Sequence, residues 1–165
     1  MTETMATTTE TRDTAAERLT LRKSAKLRHR TLVNRLFEKG KSVYSGPLRL
    51  TFRALSDEEL AGSFKEAVPD LLGPVQIMIT VPKKKRRHAV DRVLMRRRIR
   101  EAFRLQHRQL RCMVQEDPSI RTLSVGIVYM QGDNCDMATI NSAMASALAK
   151  IRKKLWPQPT AVDNC

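Results

Sequence analysis

Residues 83–111 read KKKRRHAVDRVLMRRRIREAFRLQHRQLR, the most strongly basic stretch of the protein. Thirteen of these 29 residues are Lys or Arg and only Asp91 and Glu101 are acidic, so the stretch carries +11 of the formal net charge of +14. After the loop-like KKKRRH, core-type residues recur at helical spacing, which predicts a long helix that begins near Ala89. The predicted buried arc of this helix consists of Met95, Ile99, Ala102, Phe103, Gln106, Leu110 and Met113.

A neighbouring arc of the same helix is lined with arginine. Its members are Arg96, Arg97, Arg100, Arg104, Arg108 and Arg111. A solvated helix face usually mixes the two signs of charge so that ion pairs form four residues apart, whereas here like charges repel at that spacing. Guanidinium groups bind phosphate oxygens two at a time and stay charged at cellular pH. The arc therefore favours nucleic acid as partner over a solvated face or an acidic membrane surface.

The beginning of the helix argues against DNA. A helix that reads a major groove carries Asn, Gln or Arg at its start, whereas this one carries Val90, Val93 and Leu94. Neither DNA nor a membrane is therefore the expected partner.

Polar segments bound one predicted domain. Residues 1–18 are Thr-rich without an apolar period and predict a disordered tail, residues 19–156 predict a single RNA-binding α/β domain, and residues 157–165 predict a flexible C-terminal tail. No stretch approaches the ~20 apolar residues of a membrane span, and the N-terminus lacks the apolar run of a secretory signal. We therefore expect a cytoplasmic protein.

The remaining periodicities predict the order α-β-β-β-α-β-α. The predicted helices span residues 25–39, the stretch from residue 89, and 137–155, and the predicted strands span 42–44, 48–55, 75–81 and 123–130. In the second strand Leu48, Leu50 and Phe52 alternate with Arg49, Thr51 and Arg53, a pattern typical of a half-buried strand. Ser24 is the expected cap of the first helix and Gly40 its expected end. Residues 56–73 hold five acids against one Lys and predict an exposed acidic loop with at most a helical turn. The expected fold is an α+β structure in which helices cover one face of a four-stranded sheet.

Three blocks carry a resemblance to a known family. Residues 19–42 read LTLRKSAKLRHRTLVNRLFEKGKS, residues 79–85 read ITVPKKK, and residues 89–104 fit AVDRxxxRRxIREAFR. In order and spacing they resemble the protein component of bacterial ribonuclease P, over about residues 19–156. The resemblance implies a two-layer sandwich with a mixed sheet, whose parallel strands are joined by a left-handed crossover. It also implies a subunit that binds a catalytic RNA and assists endonucleolytic removal of the 5′ leader of precursor tRNA.

The resemblance further implies two sets of site residues. The set expected to contact RNA comprises Lys83, Lys84, Lys85, Arg86, Arg87, His88, Arg92, Arg96, Arg97, Arg98, Arg100 and Arg104. A cleft between the first helix and the sheet would hold the single-stranded leader, and its expected residues are Phe37, Arg49, Thr51, Phe52 and Val93. Val93 and Leu94 stand where the family usually has Asn and Arg in the helix motif. Arg98 replaces a usual apolar residue and would supply part of the missing charge.

Aromatic side chains are the expected leader contacts, because single-stranded RNA is held by aromatic faces beside a basic groove. Phe37 and Phe52 are the main candidates for stacking on a base, and Tyr44 is a weaker one. The alternative for each Phe is plain core packing. The family's strand aromatic corresponds here to either Thr51 or Phe52.

The sequence offers little support for catalysis by protein side chains. The histidines His29, His88 and His107 are scattered, with His88 expected to touch phosphate and His107 expected at the surface, and no two carboxylates are spaced to converge on a metal. The cysteines Cys112, Cys135 and Cys165 lack CxxC spacing and are predicted to be reduced thiols. Mg²⁺ would be held mainly by phosphates of the RNA subunit. A general or ribosomal RNA-binding protein without a catalytic partner is the alternative function.

Overall fold

The computed structural model describes residues 21–157, so the predicted N-terminal tail and all of the predicted C-terminal tail except residue 157 lie outside the described residues. After a single 3-10 turn at Lys23–Ala25, the helices are α1 (Arg30–Lys39), α2 (Asp57–Ala61), α3 (Ala89–Gln106), α4 (Arg108–Glu116) and α5 (Met137–Leu155). The strands are β1 (Lys41–Ser45), β2 (Leu48–Leu55), β3 (Val75–Thr80) and β4 (Thr122–Tyr129).

The four strands form one mixed sheet in the order β1-β2-β4-β3. β2 pairs with β1 and with β4 in antiparallel fashion, and β3 pairs with β4 in parallel. The predicted α+β class and mixed four-stranded sheet are confirmed. α3 and α4 lie in the connection between the two parallel strands, and the left hand of this crossover stays an expectation of the resemblance.

The two faces of the sheet are covered differently. On one face, alternate strand residues such as Leu50 and Ile127 pack with Met95 of α3 and Met144 of α5 in the main hydrophobic core. On the opposite face, α1 contacts β2 and β4 and forms a smaller core around Leu32. The expectation that all the helices cover one face of the sheet is therefore wrong for α1. α3 and α5 occupy that face, so α1 buries its apolar stripe against the other one.

The close approach of α1 to the sheet depends on two glycines. A Cβ atom on Gly40 would lie 2.1 Å from the carbonyl oxygen of Leu36 and 2.7 Å from Thr51 Cγ2, closer than real atoms approach. A Cβ atom on Gly126 of β4 would lie 3.1 Å from Leu36 Cδ2. α1 therefore lies almost directly on the backbone of the sheet.

The segment before α1 pairs with the edge strand β3 and does not form the first turns of a helix. Lys26 forms an isolated parallel bridge with Ile77 of β3, and the N–H of Leu27 donates to the carbonyl of Ile77 at 2.9 Å. The helix predicted from residue 25 begins only at Arg30, and His29, without a side-chain cap, precedes it. Ser24 lies within the 3-10 turn, well before Arg30, so it does not cap α1. Its carbonyl accepts hydrogen bonds from the Gly73 N–H and from Gln76 Nε2.

His107 interrupts the long helix predicted from residue 89. Its ring is stacked on Phe103 with centroids 5.1 Å apart, and its Nδ1 lies 3.1 Å and 3.0 Å from the carbonyl oxygens of Phe103 and Arg104. The side chain is buried, so the expected surface position is wrong. α4 starts after this residue, so Arg108 and Arg111 of the predicted arc belong to a separate helix from Arg96, Arg97, Arg100 and Arg104.

The acidic connection is anchored to α1 and is not merely an exposed loop. α2 begins with a capping box between Ser56 and Glu59, and Leu60 and Leu72 are buried in the smaller core. Arg35 of α1 donates to the carbonyls of Glu59 and Gly62 at 3.2 Å and 2.9 Å. The acidic charges face solvent while the apolar residues between them hold the connection in place.

Two further expectations concern cysteines and membranes. Cys112 is disulfide-bonded, so the predicted reduced thiol is wrong at this position, because sequence spacing does not show which cysteines meet in space. Cys135 is a free thiol, and Cys165 lies outside the described residues. Within residues 21–157, no helix has both the length and the apolar composition needed to cross a membrane.

Candidate nucleic-acid interface

Three arginines of α3 project without partners from the helix surface. Arg96, Arg97 and Arg100 form no hydrogen bond or ion pair with any residue that the structure describes. They share one side of α3, because their spacing of three and four residues corresponds to one helical turn. The opposite side is anchored by Met95 and Ile99, both fully buried. We call Arg96, Arg97 and Arg100 the arginine face.

Three other arginines of the predicted set are already engaged. Arg104 forms an ion pair with Glu101, with nitrogen–oxygen distances of 2.6 Å and 2.8 Å. Arg92 donates to the carbonyls of Arg86 and Arg87 at 3.0 Å and 2.6 Å, and Arg98 donates to the carbonyl of Cys135. Arg92 braces the loop before α3, Arg98 ties α3 to the segment around Cys135, and Arg104 is paired within α3 itself. None of the three has the freedom of the arginine face.

The loop before α3 presents a second cluster of charge. Its exposed members are Lys83, Lys84, Lys85, Arg87 and His88. Arg86 points inward, where it forms an ion pair with Asp91 at 2.7 Å and donates to the carbonyl of Gly132. A hydrogen bond from Asn134, together with the positive charge of Arg86, holds the pKa of the Asp91 carboxyl below its usual value. Arg86 is therefore a brace for the loop, while its neighbours are free to meet phosphate.

A groove at the outer edge of β3 extends the basic surface beyond α3. Its volume is about 450 Å³, and its basic residues are Lys26, Arg28 and Arg100, above a floor that includes Ile77 and Ile79. Lys26 and Arg28 were not predicted as RNA contacts, because the sequence placed them in a helix. Their position follows from the bridge between Lys26 and β3, which no local pattern signals.

The start of α3 exposes apolar side chains. Val90 and Val93 are 79% and 39% exposed. Val93 belongs to the surface of α3 and not to the strand face that carries Arg49 and Thr51, so the structure does not place it among the strand residues of the predicted cleft.

The leader residues predicted on β2 separate onto the two faces of the sheet. Phe52 is buried in the main core between the sheet and α3 and α5, so it is a core residue and the stacking role predicted for it is wrong. Thr51 lies on the α1 face but is also buried, with its hydroxyl 3.1 Å from that of Ser42. Of the two residues that could match the family's strand aromatic, only Thr51 faces α1.

Phe37 remains the best-placed stacking residue. It lies on α1 with 47% of its surface exposed, and the Cζ end of its ring packs against Gly126 of β4. The adjoining row of the sheet runs through Tyr44, Arg49, Val128 and Thr80, which are register partners across the four strands. An open surface is thus bounded by α1 and crosses the whole sheet.

Tyr44 and Arg49 form the other polar and aromatic part of this surface. Tyr44 is 60% exposed, and the Arg49 guanidinium carbon lies 5.7 Å from the centre of the Tyr44 ring, within cation–π range. The sequence ranked Tyr44 below Phe52, although Tyr44 pairs with Arg49 across the two strands and therefore shares its face. We call the surface formed by Phe37 and by the row Tyr44, Arg49, Val128 and Thr80 the aromatic cleft.

The charge and shape of these surfaces suit the binding of nucleic acid. Guanidinium and ammonium groups bind phosphate, and exposed rings stack on unpaired bases. Within residues 21–157 there is no group of three or more His, Cys, Asp or Glu side chains placed to hold a metal ion. The described donors therefore do not fit a magnesium site of the protein itself.

Known proteins resemble this chain in both sequence and fold. The family model for ribonuclease P matches residues 21–152. A ribonuclease P protein component of Porphyromonas gingivalis is 30% identical over 131 residues, which cover 79% of this chain and 85% of that protein. The Staphylococcus aureus RNase P protein superposes with a TM-score of 0.55 at 18% identity, covering 79% of this chain and 97% of that one. The Thermotoga maritima RNase P protein gives a TM-score of 0.51 at 18% identity, covering 76% and 96%. The match to the family model spans both the aromatic cleft and the arginine face, and the chain belongs to the ribonuclease P protein family.

Proposed function

We propose that this protein is the protein subunit of a ribonuclease P ribonucleoprotein, which removes the 5′ leader of precursor tRNA in the cytoplasm. The observation that carries the proposal is the separation of two surfaces. The arginine face lies on α3, whose other side packs on one face of the sheet, and the aromatic cleft lies on the opposite face beside α1. A protein with two such surfaces can hold two RNA segments at once.

The arginine face and the basic loop are the proposed contacts for the catalytic RNA. Phosphates of a folded RNA are fixed in position, so they match cations held on a rigid helix and a braced loop. Arg86 and Arg92 contribute by fixing the loop that carries Lys83–Lys85.

The aromatic cleft is the proposed site for the leader. A leader is single-stranded, so its bases are free to stack on Phe37 and Tyr44 while Arg49 neutralises a phosphate. Thr80 at one end of the cleft leads directly into the basic loop. The nucleotides nearest the cleavage site would therefore enter the cleft beside the surface that meets the catalytic RNA.

Catalysis is assigned to the RNA subunit in this proposal. The reaction is a hydrolysis of one phosphodiester bond, and Mg²⁺ held by RNA phosphates would supply the activation of water and the charge stabilisation. The described protein side chains bind and orient RNA. The holoenzyme is the endoribonuclease, and the protein is its binding subunit.

The test is a cleavage assay with purified components. Protein alone should not cleave precursor tRNA at any Mg²⁺ concentration, and addition of the cognate catalytic RNA should give a single cut at the mature 5′ end. RNA recovered with the native protein should be one structured species of several hundred nucleotides. Recovery of ribosomal RNA instead, without that species, would favour a general RNA-binding protein and overturn the proposal.

A further inference from the structure

A second basic groove lies at the free edge of the sheet, away from the arginine face. β1 is an edge strand, and the last turns of α5 run beside it. The groove between them has a volume of about 320 Å³ and is lined by Ser42, Val43, Tyr44, Lys150, Lys153 and Lys154. We call Lys150, Lys153 and Lys154 the edge lysines.

The edge lysines are held in place by the edge of the sheet. Lys150 Nζ donates to the carbonyl of Tyr44 at 2.7 Å, and Lys154 Nζ donates to the carbonyl of Ser42 at 3.1 Å. These bonds satisfy carbonyl groups that an edge strand would otherwise leave open. A lysine ammonium has three donors, so each of these two retains hydrogen atoms for another acceptor.

Lys153 lies between them in the sequence and has no such structural role. It is exposed, and it makes no hydrogen bond or ion pair with any residue in the described part of the chain. α5 contains no acidic residue along its whole length, and β1 contains none either. The groove is therefore positively charged without a neutralising partner, which complements a phosphate backbone.

Tyr44 joins this groove to the aromatic cleft. Its side chain shares a face with Arg49 and is open to solvent, while its carbonyl is the acceptor for Lys150. A strand that crosses the cleft from Thr80 toward β1 would pass Tyr44 and meet the edge lysines next. The other end of the cleft adjoins the basic loop. If that loop binds the catalytic RNA, the RNA strand cannot leave the cleft at that end.

We propose that the edge lysines bind the sugar–phosphate backbone of the leader where it leaves the aromatic cleft and passes over β1. The inference rests on the proposed function, because it takes the leader as the occupant of the cleft. It adds a second leader-binding segment that acts only on leaders long enough to reach beyond Tyr44. The interaction is with phosphates, so it is independent of the leader sequence.

The test uses the holoenzyme reconstituted with its catalytic RNA and precursor tRNAs whose leaders lengthen one nucleotide at a time from a single nucleotide. Lys153→Ala should weaken binding about two- to fivefold, as expected for one exposed ionic contact. The loss should appear only above a certain leader length. That length should exceed the length at which Phe37→Leu first weakens binding, because Phe37 is reached earlier along the strand.

Arg152→Ala is the matched control. It removes the same charge from the same turn of α5, but Arg152 donates to Gln109 of α4 and does not line the groove. It should leave binding unchanged at all leader lengths. Replacing all three edge lysines with Met should enlarge the long-leader loss and lower its salt dependence, and thermal melting would show whether removal of the edge contacts disturbs the fold.

The outcomes separate this inference from the proposed function. If Phe37→Leu acts in a leader-dependent way and Lys153→Ala has no effect at any length, the edge lysines are not a leader site and the proposed function stands. If Lys153→Ala weakens binding equally for all leaders, or weakens assembly with the catalytic RNA alone, the edge lysines contact another RNA segment and the inference is wrong. If Phe37→Leu shows no leader dependence, the cleft itself is wrong and the inference fails with it.

Discussion

The Phe37 ring on α1 contacts Gly126 of β4 through its Cζ and Cε1 atoms, which would lie 3.4 Å and 3.8 Å from a Cβ atom at that position. The absence of a side chain at Gly126 lets one end of the ring rest on the sheet backbone. The rest of the ring remains open, which accounts for its 47% exposure. Phe37 is thus fixed in orientation and still accessible, two properties that a stacking platform needs.

Phe37→Leu should weaken holoenzyme binding of a precursor tRNA with a long leader, and leave a one-nucleotide leader almost unaffected. Loss of one base–aromatic stack costs about 1–3 kcal/mol. Leucine keeps much of the apolar contact with Gly126, so the melting temperature should change little. Dissociation constants measured for both substrates check this expectation, and equal losses for the two leaders would exclude stacking.

Phe52→Leu is expected to behave in the opposite way. Phe52 is buried in the main core, so the substitution leaves a cavity that should lower the free energy of unfolding by about 1–2 kcal/mol. Chemical denaturation measures this loss. Among molecules that remain folded, long and short leaders should lose affinity alike. A selective loss for long leaders with unchanged stability would return Phe52 to the leader site.

Phe37 and Phe52 show which features of the site can be predicted from the sequence and which cannot. The alternation in β2 places Phe52 with Leu48 and Leu50, and the same pattern places Thr51 with Arg49. That pattern predicts which residues share a face. It does not show that α1 covers the polar face while α3 and α5 cover the other, because this depends on contacts between elements distant in the sequence.

Where the helices differ from the prediction, the cause is again contacts that local periodicity does not show. Met95 and Ile99 were predicted to be buried from helical periodicity, and both are. The burial of His107 was not predicted, because it depends on stacking against Phe103 and on contacts with carbonyls of the preceding turn. Lys26 was assigned to a helix from local periodicity. The bridge that holds it against β3 pairs it with Ile77, about fifty positions away, and local periodicity does not reveal such a contact.

Replacing Arg96, Arg97 and Arg100 together with Ala should weaken binding of the catalytic RNA and reduce the salt dependence of binding. Each lost phosphate contact removes about 0.7–0.9 from the slope of log K against log salt, so the triple variant should lose about 2–3 in slope. Filter binding at several salt concentrations measures both effects.

Arg121→Ala provides the control for this substitution. Arg121 is also an exposed arginine, but it precedes β4 and lies 3.5 Å from a carboxylate oxygen of Asp57. Its loss should leave the slope unchanged. A triple variant with intact folding and the slope of the unmodified protein would show that the arginine face is only solvated.

Tyr129 is the side chain whose titration should report on the turn that braces the basic loop. Its hydroxyl donates to the carbonyl of Asp133, and its oxygen also lies 3.2 Å from Cys135 Sγ. In the same turn, Gly132 accepts from Arg86. Burial, followed by the interaction with Cys135, raises the pKa of Tyr129 to about 12.

The protein has two tyrosines, so the Tyr44→Phe variant titrates at Tyr129 alone. Its phenolate absorbance should rise with a midpoint near pH 12, because the folded protein keeps a proton that an unfolded chain loses near pH 10. The stability that depends on protonated Tyr129 is therefore complete below about pH 10 and is lost as the pH rises through about 12. Denaturant midpoints should accordingly fall over this range, and fall less in Tyr129→Phe. A phenolate midpoint near pH 10 in folded Tyr44→Phe protein would mean that the Tyr129 hydroxyl is open to solvent and that the turn is not closed around it.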